Sequence, residues 1–274
     1  MRNVTALAAV LLVLLALPRG AIAIPGGVAD VDGHPNVGLL GFDVDAEGPT
    51  PPFVLCTGSV LSDRAFLTAA HCITAIPGVQ WTVTLEGGDE AHPVATPGTY
   101  PDDFPFAVTV PVHRAIDAVV HPDFGSGLSR ANDLAVLLFP EGTFDVAPVE
   151  LPAVGLLDRL AATGQLRGAQ LTLVGYGTDA RLEPPQYDFL GYRRTGTAPV
   201  AALTTWQLRF HHTLTATGAA GACYGDSGSP QFLEDSNLAV SLLSHGLTTC
   251  RGVARGQRLD TPAARSFLGR FVPD

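Results

Sequence analysis

The sequence predicts an all-β protein, a barrel or a sandwich of short strands. Three observations carry the prediction. Short runs of apolar and β-branched residues alternate with turn residues along nearly all of the 274-residue chain. Its 30 glycines and 22 prolines break it too often for a helical bundle. Hydrophobic residues make up 46% of it and charged residues 15%, which is enough apolar surface for a sizeable core and argues against wholesale disorder.

The first segment stands apart. Arg2 precedes an apolar run over residues 6–17, a Pro18-Arg19-Gly20 break, and the small residues Ala21 and Ala23. This is the pattern of a secretory signal peptide, residues 1–23, cut between Ala23 and Ile24. A membrane anchor is the rival reading, but the run is shorter than the roughly 20 residues a span needs. The mature chain, 24–274, is therefore expected to be secreted or periplasmic, with no membrane contact. The formal charge is −10, and all 16 basic residues are arginine. An acidic chain without a basic stripe repels a phosphate backbone, so no nucleic-acid partner is expected. The absence of lysine beside abundant Ala, Arg, Gly and Pro suits a GC-rich bacterial genome.

Strands are expected at 37–41, 54–61, 65–68, 80–85, 116–120, 134–139, 171–174, 205–210 and 238–243. In 80–85, Trp81, Val83 and Leu85 alternate with Gln80, Thr82 and Thr84, the period of two of a half-buried strand. Residues 43–52 and 87–105 read as long acidic surface loops carrying prolines. Residues 139–152 are the expected boundary between two halves. Residues 154–162 suit a helical turn or a loop. The end should be helical over about 262–271: Thr261 can cap it, Pro262 starts it, and Phe267, Leu268 and Phe271 form its apolar face.

Chemistry concentrates in three segments: Thr68-Ala69-Ala70-His71-Cys72, Asn132-Asp133-Leu134-Ala135-Val136, and Cys223-Tyr224-Gly225-Asp226-Ser227-Gly228-Ser229-Pro230. A serine hydroxyl is a poor nucleophile at neutral pH. It needs a base within hydrogen-bond reach, and the base needs a partner that fixes its tautomer. The segments supply these groups in the order His71, Asp133, Ser227. Four cysteines in an exported chain read as two disulfides, with three pairings open. Neither cysteine pair has the CxxC spacing of a zinc site, so no metal is expected.

These segments, in this order, resemble the chymotrypsin/trypsin family of serine proteases, over residues 24 to about 271. The resemblance implies two antiparallel six-stranded β-barrels, about 24–140 and about 153–260, a short C-terminal helix, and an active site in the cleft between the barrels. It implies Ser227 as nucleophile, His71 as general base and then acid, and Asp133 as buried orienter. It pairs Cys56 with Cys72 and Cys223 with Cys250, each worth roughly 3 kcal/mol in the chain-entropy account. It makes the Gly225 and Ser227 N–H groups the oxyanion hole. Ser229 stands where most relatives have a third glycine. It also pairs Asp226 with a newly made N-terminal ammonium. Ile24-Pro25-Gly26-Gly27 resembles the family's Ile-Val-Gly-Gly start and departs from it at Pro25. The signal cleavage site falls at the same bond, so export itself should create this terminus. A signal cut elsewhere, followed by a second protease, is the alternative.

Ser244-His245-Gly246 resembles the family's Ser-Trp-Gly strand, which pairs with substrate backbone. Ser244 should also bond Asp133, and His245 replaces the tryptophan. The resemblance puts Gly221 at the base of the primary pocket with Ala222 beside it, leaves the walls open at Gly246 and Gly256, and brings Arg258 near. No aspartate stands at the Gly221 position, so cleavage after Lys or Arg is not expected. An apolar side chain is favoured over an acidic one attracted by Arg258. The whole reading is a monomeric serine endopeptidase with protein or peptide substrates, protein inhibitors as partners and no cofactor. A protease-fold binding module and an esterase are the rivals; the first is disfavoured because all three reacting groups are present. Asp123-Phe124-Gly125 resembles a kinase element, but the chain has no phosphate-cradling loop and no lysine. His211 and His212 are adjacent, point to opposite faces of a strand, and cannot share a metal. Gly175-Tyr176-Gly177 resembles the family's Gly-Trp-Gly turn, with Tyr176 as packing.

Overall fold

The computed structural model describes residues 24–44, 51–97, 106–125, 131–179, 188–212, 218–247 and 249–273. The segment expected to be a signal peptide, residues 1–23, lies outside them, as do parts of the two expected loops, 45–50 and 98–105. The chain opens with β1 (Val28–Ala29), β2 (Val37–Asp43), β3 (Phe53–Ser62) and β4 (Ala65–Thr68), then the short helix α1 (Ala70–Thr74). β5 (Gln80–Thr84), β6 (Ala95–Pro97), β7 (Phe106–Val108), β8 (His113–Arg114), β9 (Asp117–Val120) and β10 (Ala135–Leu138) follow. After α2 (Leu156–Ala162) come β11 (Gln170–Gly175), β12 (Thr178–Asp179), β13 (Asp188–Phe189), β14 (Arg194–Leu203) and β15 (Gln207–His211). β16 (Pro230–Leu233), β17 (Ala239–His245), β18 (Val253–Arg258) and the helix α3 (Pro262–Leu268) complete it.

The expected two-barrel architecture is present. One sheet runs β8-β5-β2-β3-β4-β10-β9, with β7 also on β3. Its two end strands are separated only by Ala115 and Ile116. The Ala115 N–H donates to Trp81 O on one edge at 2.9 Å, and the Ile116 N–H to Leu138 O on the other at 2.7 Å. The edges of the sheet therefore meet along one segment. The second sheet runs β14-β11-β16-β17-β18-β15, and β15 pairs back onto β14, closing six antiparallel strands. Closure removes free edges that would otherwise invite pairing with other chains.

Packing explains where the strands differ from their sequence pattern. β2 buries every residue. The expected half-buried strand at 80–85 is covered on both faces: Thr82 and Thr84 are buried as well as Trp81 and Val83, while β2 and β8 pair along the two edges of β5. Asp43, expected in a loop, ends β2 and is buried against Arg114 at 2.8 Å. β14 was not legible: Gly196 and Pro199 interrupt it, and it is held by β11 and β15 on its flanks. Residues 154–162 resolve into a helix. Asp260 caps it from a distance, its carboxylate accepting from the Leu157 N–H at 2.8 Å. Thr261 caps α3 as expected, accepting from the Ala264 N–H at 3.2 Å, and the helix ends at Leu268 instead of near 271.

The two ends of the chain cross over. β1 pairs with β14 of the second sheet, so residues 24–30 do not begin the first barrel as expected. α3 packs Phe267 and Leu268 into the core shared with Phe66, Val136 and Phe139 of the first sheet. A buried phenylalanine of this kind contributes roughly 2–3 kcal/mol. The 139–152 segment carries the chain across: the Val149 N–H bonds Val60 O and the Glu150 N–H bonds Asn237 O, each at 2.9 Å. No helix among the described residues is long and apolar enough to cross a membrane.

Candidate active site

β4 runs directly into α1, which carries His71 in its first turn. Cys72 bonds Cys56 on β3, tying this helix to the sheet. Asp133 precedes β10 and follows Asn132, whose φ of 57° turns the chain inward. Asp133 is wholly buried. Its Oδ1 accepts from the His71 backbone N–H at 2.9 Å. Its Oδ2 accepts from the His71 ring at Nδ1 (2.8 Å) and from the Ser244 hydroxyl (2.5 Å). Burial pushes this carboxyl upward, but the hydrogen bond and charge of His71, with the Ser244 hydroxyl and the His71 N–H, outweigh it and hold the group below the usual carboxylate range. An ionised acid only accepts, so Nδ1 carries a proton, and in the neutral ring Nε2 is the nitrogen with the lone pair.

Ser227 sits in the loop between Cys223 and β16, and Cys223 is joined to Cys250. Gly225 takes φ of 93°, and a side chain there would press on the Cα of Gly177. Ser227 and His71 line one cavity of about 430 Å³. No hydrogen bond joins the Ser227 hydroxyl to His71 among the described residues; Nε2 lies 3.8 Å from Cys72 Sγ. Such contacts are often loose without substrate and tighten in the Michaelis complex. Neither the Gly225 nor the Ser227 backbone N–H is used in a hydrogen bond among the described residues. The two sulfurs nearest His71 are disulfide-bonded and offer no thiolate to a metal.

Asp226 is wholly buried beneath this loop. Burial drives its carboxyl up to about 7, against the pull of the Cys223 and Gly177 N–H groups, each 2.8 Å away. Gly175 and Gly177 lack the Cβ atoms that would overlap the carboxylate. Ile24 is also fully buried, and a Cβ on Gly175 would touch both Ile24 and Asp226, so the two side chains share that space. No hydrogen bond or ion pair joins them among the described residues. Ile24 has φ of 43°, a costly conformation for a β-branched residue.

Of the expected pocket residues, Ala222, Ser244, His245 and Gly246 line the cavity. Three expected pocket residues do not. Gly221 is buried behind it, its N–H on Pro25 O at 2.9 Å. Gly256 pairs with Leu243 deeper in the sheet and faces Gln231 and Ser241, so Ala254, two residues earlier on the same strand face, forms the wall. Arg258 is consumed elsewhere: Asp260 binds its Nε at 2.8 Å and Asp158 its Nη2 at 2.6 Å, at a separate surface hollow. It cannot attract an acidic substrate side chain. Leu243, Leu247 and Ala254 complete an apolar lining that sequence reasoning missed, because only strand register decides which residues reach the mouth. His212 is buried with Nδ1 3.1 Å from Ala222 O, whereas His211 is half-exposed, so the pair forms no joint site.

Fold and cleft together define the two-barrel serine-protease class. A family model described as Trypsin matches residues 42–260, and the chain belongs to that family. It is 28% identical over 222 residues to Melanization protease 1 of Drosophila melanogaster, covering 71% of this chain and 52% of that protein. It is 28% identical over 227 residues to Venom serine protease Bi-VSP of Bombus ignitus, covering 76% and 56%. The chain thus spans about half the length of these curated relatives. The solved structure of HL collagenase superposes with a TM-score of 0.63 at 17% identity, over 90% of this chain and 97% of that one. Human heparin binding protein superposes with a TM-score of 0.62 at 16% identity, over 90% and 96%.

Proposed function

We propose that this chain is a secreted serine endopeptidase that cleaves peptide bonds through a Ser227 acyl-enzyme. The observation that carries the reading is the buried Asp133 holding the His71 ring by Nδ1, which leaves Nε2 as the free base in the cavity that Ser227 lines. His71 takes the Ser227 proton as the hydroxyl attacks and returns it to the leaving amine; a water activated by His71 then releases the acid. The unpaired Gly225 and Ser227 N–H groups receive the charge that develops on the carbonyl oxygen. Leu243, Leu247, Ala254 and the Cys223–Cys250 bridge favour an apolar side chain before the cut, and no carboxylate among the described residues lines the cavity to hold Lys or Arg. A fluorophosphonate probe should label the wild type and not Ser227→Ala, and a peptide library should show cuts after apolar residues. An unlabelled wild type would favour a binding module, and dominant cleavage after Lys or Arg would refute the pocket reading.

The same reading makes Ile24 the mature N-terminus. A signal cut between Ala23 and Ile24 would free an ammonium on the residue whose side chain neighbours Asp226 and would remove the peptide bond that gives Ile24 its strained φ. N-terminal sequencing of the secreted protein should begin Ile-Pro-Gly-Gly; any other start removes the proposal.

A further inference from the structure

We infer that Thr57 is a positioning residue that aims the oxyanion donor, an inference that rests on the serine-protease reading above. Thr57 lies on β3 beside Cys56 and is wholly buried. Its hydroxyl donates to Gly225 O at 2.9 Å and accepts from the Tyr176 N–H at 3.2 Å. Its backbone N–H donates to Ser227 O at 2.9 Å. One residue of the first sheet therefore grips the serine loop at two carbonyls, across the boundary between the halves.

The grip matters because of what surrounds Gly225. A glycine has the widest φ/ψ freedom of any residue, so its N–H points reliably only if both flanking peptide planes are tethered. The plane before it is held where the Thr178 N–H meets Tyr224 O at 2.7 Å. In a trans peptide the N–H points opposite to the C=O, so this bond turns the Gly225 N–H away from Thr178. The plane after it is held by the Thr57 hydroxyl on Gly225 O and by the Asp226 N–H on Cys223 O at 3.1 Å. Thr57 is β-branched and stiff at χ1, and its hydroxyl already has one donor and one acceptor. It cannot turn away without stranding the buried Tyr176 N–H.

Thr57→Val keeps the shape and loses the hydroxyl; Thr57→Ser keeps the hydroxyl. Valine should lower kcat about 10- to 100-fold with KM within about twofold, since the donor is loosened but retained. Affinity for a peptide aldehyde, which forms a tetrahedral adduct, should fall by the same factor as kcat/KM. Binding of a product peptide should not change, and serine should restore kcat. If valine prevents folding, Thr57→Ala against Thr57→Ser gives the same comparison. Unchanged kcat in the hydroxyl-free variant, or a loss that serine does not rescue, overturns the inference. Labelling of the wild type is measured first: no labelling of Ser227 sinks the protease reading itself, whereas a labelled wild type with an unaffected variant sinks only the role of Thr57.

Discussion

Replacing His71 by alanine should lower kcat by about 10⁶-fold, and replacing Asp133 by asparagine should lower it by about 10⁴-fold. The reasons differ. Alanine removes the imidazole that lines the cavity beside Ser227 and is held by a buried acid. Asparagine keeps the shape of Asp133 and breaks its chemistry. The carboxylate accepts from the His71 N–H, the His71 ring and the Ser244 hydroxyl, so all its partners are donors. A primary amide has one acceptor oxygen, and its NH₂ would face a donor. The imidazole would then shift its proton to Nε2, the atom that receives the serine proton in the proposed mechanism. Steady-state kinetics on a peptide substrate measures both effects. Combining Ser227→Ala with His71→Ala should add almost nothing to either single change, because the groups act as a unit. Near-wild-type turnover in Asp133→Asn would remove the orienting role.

The second large effect concerns Asp226 and pH. In the uncut chain its folded pKa is about 7, well above that of an exposed aspartate. The folded state therefore binds a proton that the unfolded state has already lost. That contribution is complete below about pH 4 and disappears as pH rises through 7, a swing of about 4 kcal/mol. In a chain that begins at Ile24, the proposed ammonium partner would favour the ionised carboxylate and the slope should flatten. Melting temperatures in a Ser227→Ala background, from pH 4 to 8, should fall steeply for chain retaining residues before Ile24 and much less for chain beginning at Ile24. Asp226→Asn in the uncut form should abolish the slope. Identical slopes in the cut and uncut forms would show that Ile24 and Asp226 do not communicate.

Much of the fold was legible because its signals are local. Short apolar and β-branched runs located β2, β3, β4, β10 and β17 to within a few residues, and the Thr261-Pro262 pair located α3. The segments around His71, Asp133 and Ser227 announced themselves by residue type and order. β14 did not, since its glycine and proline read as breaks until β11 and β15 supply partners. The N-terminal segment also misled: nothing in Val28 and Ala29 says that they cross to the far sheet.

Local pattern by itself determined the strand-rich class, the chemistry-bearing segments and the terminal helix, since side-chain alternation, caps and turn residues act over a few positions. Register and long-range hydrogen bonding decided the rest. They put Ala254 and not Gly256 in the pocket wall, spent Arg258 on Asp158 and Asp260, and set the Thr57 hydroxyl against Gly225. A strand shifted by one residue presents its other face, and no stretch of sequence records which neighbour it will meet.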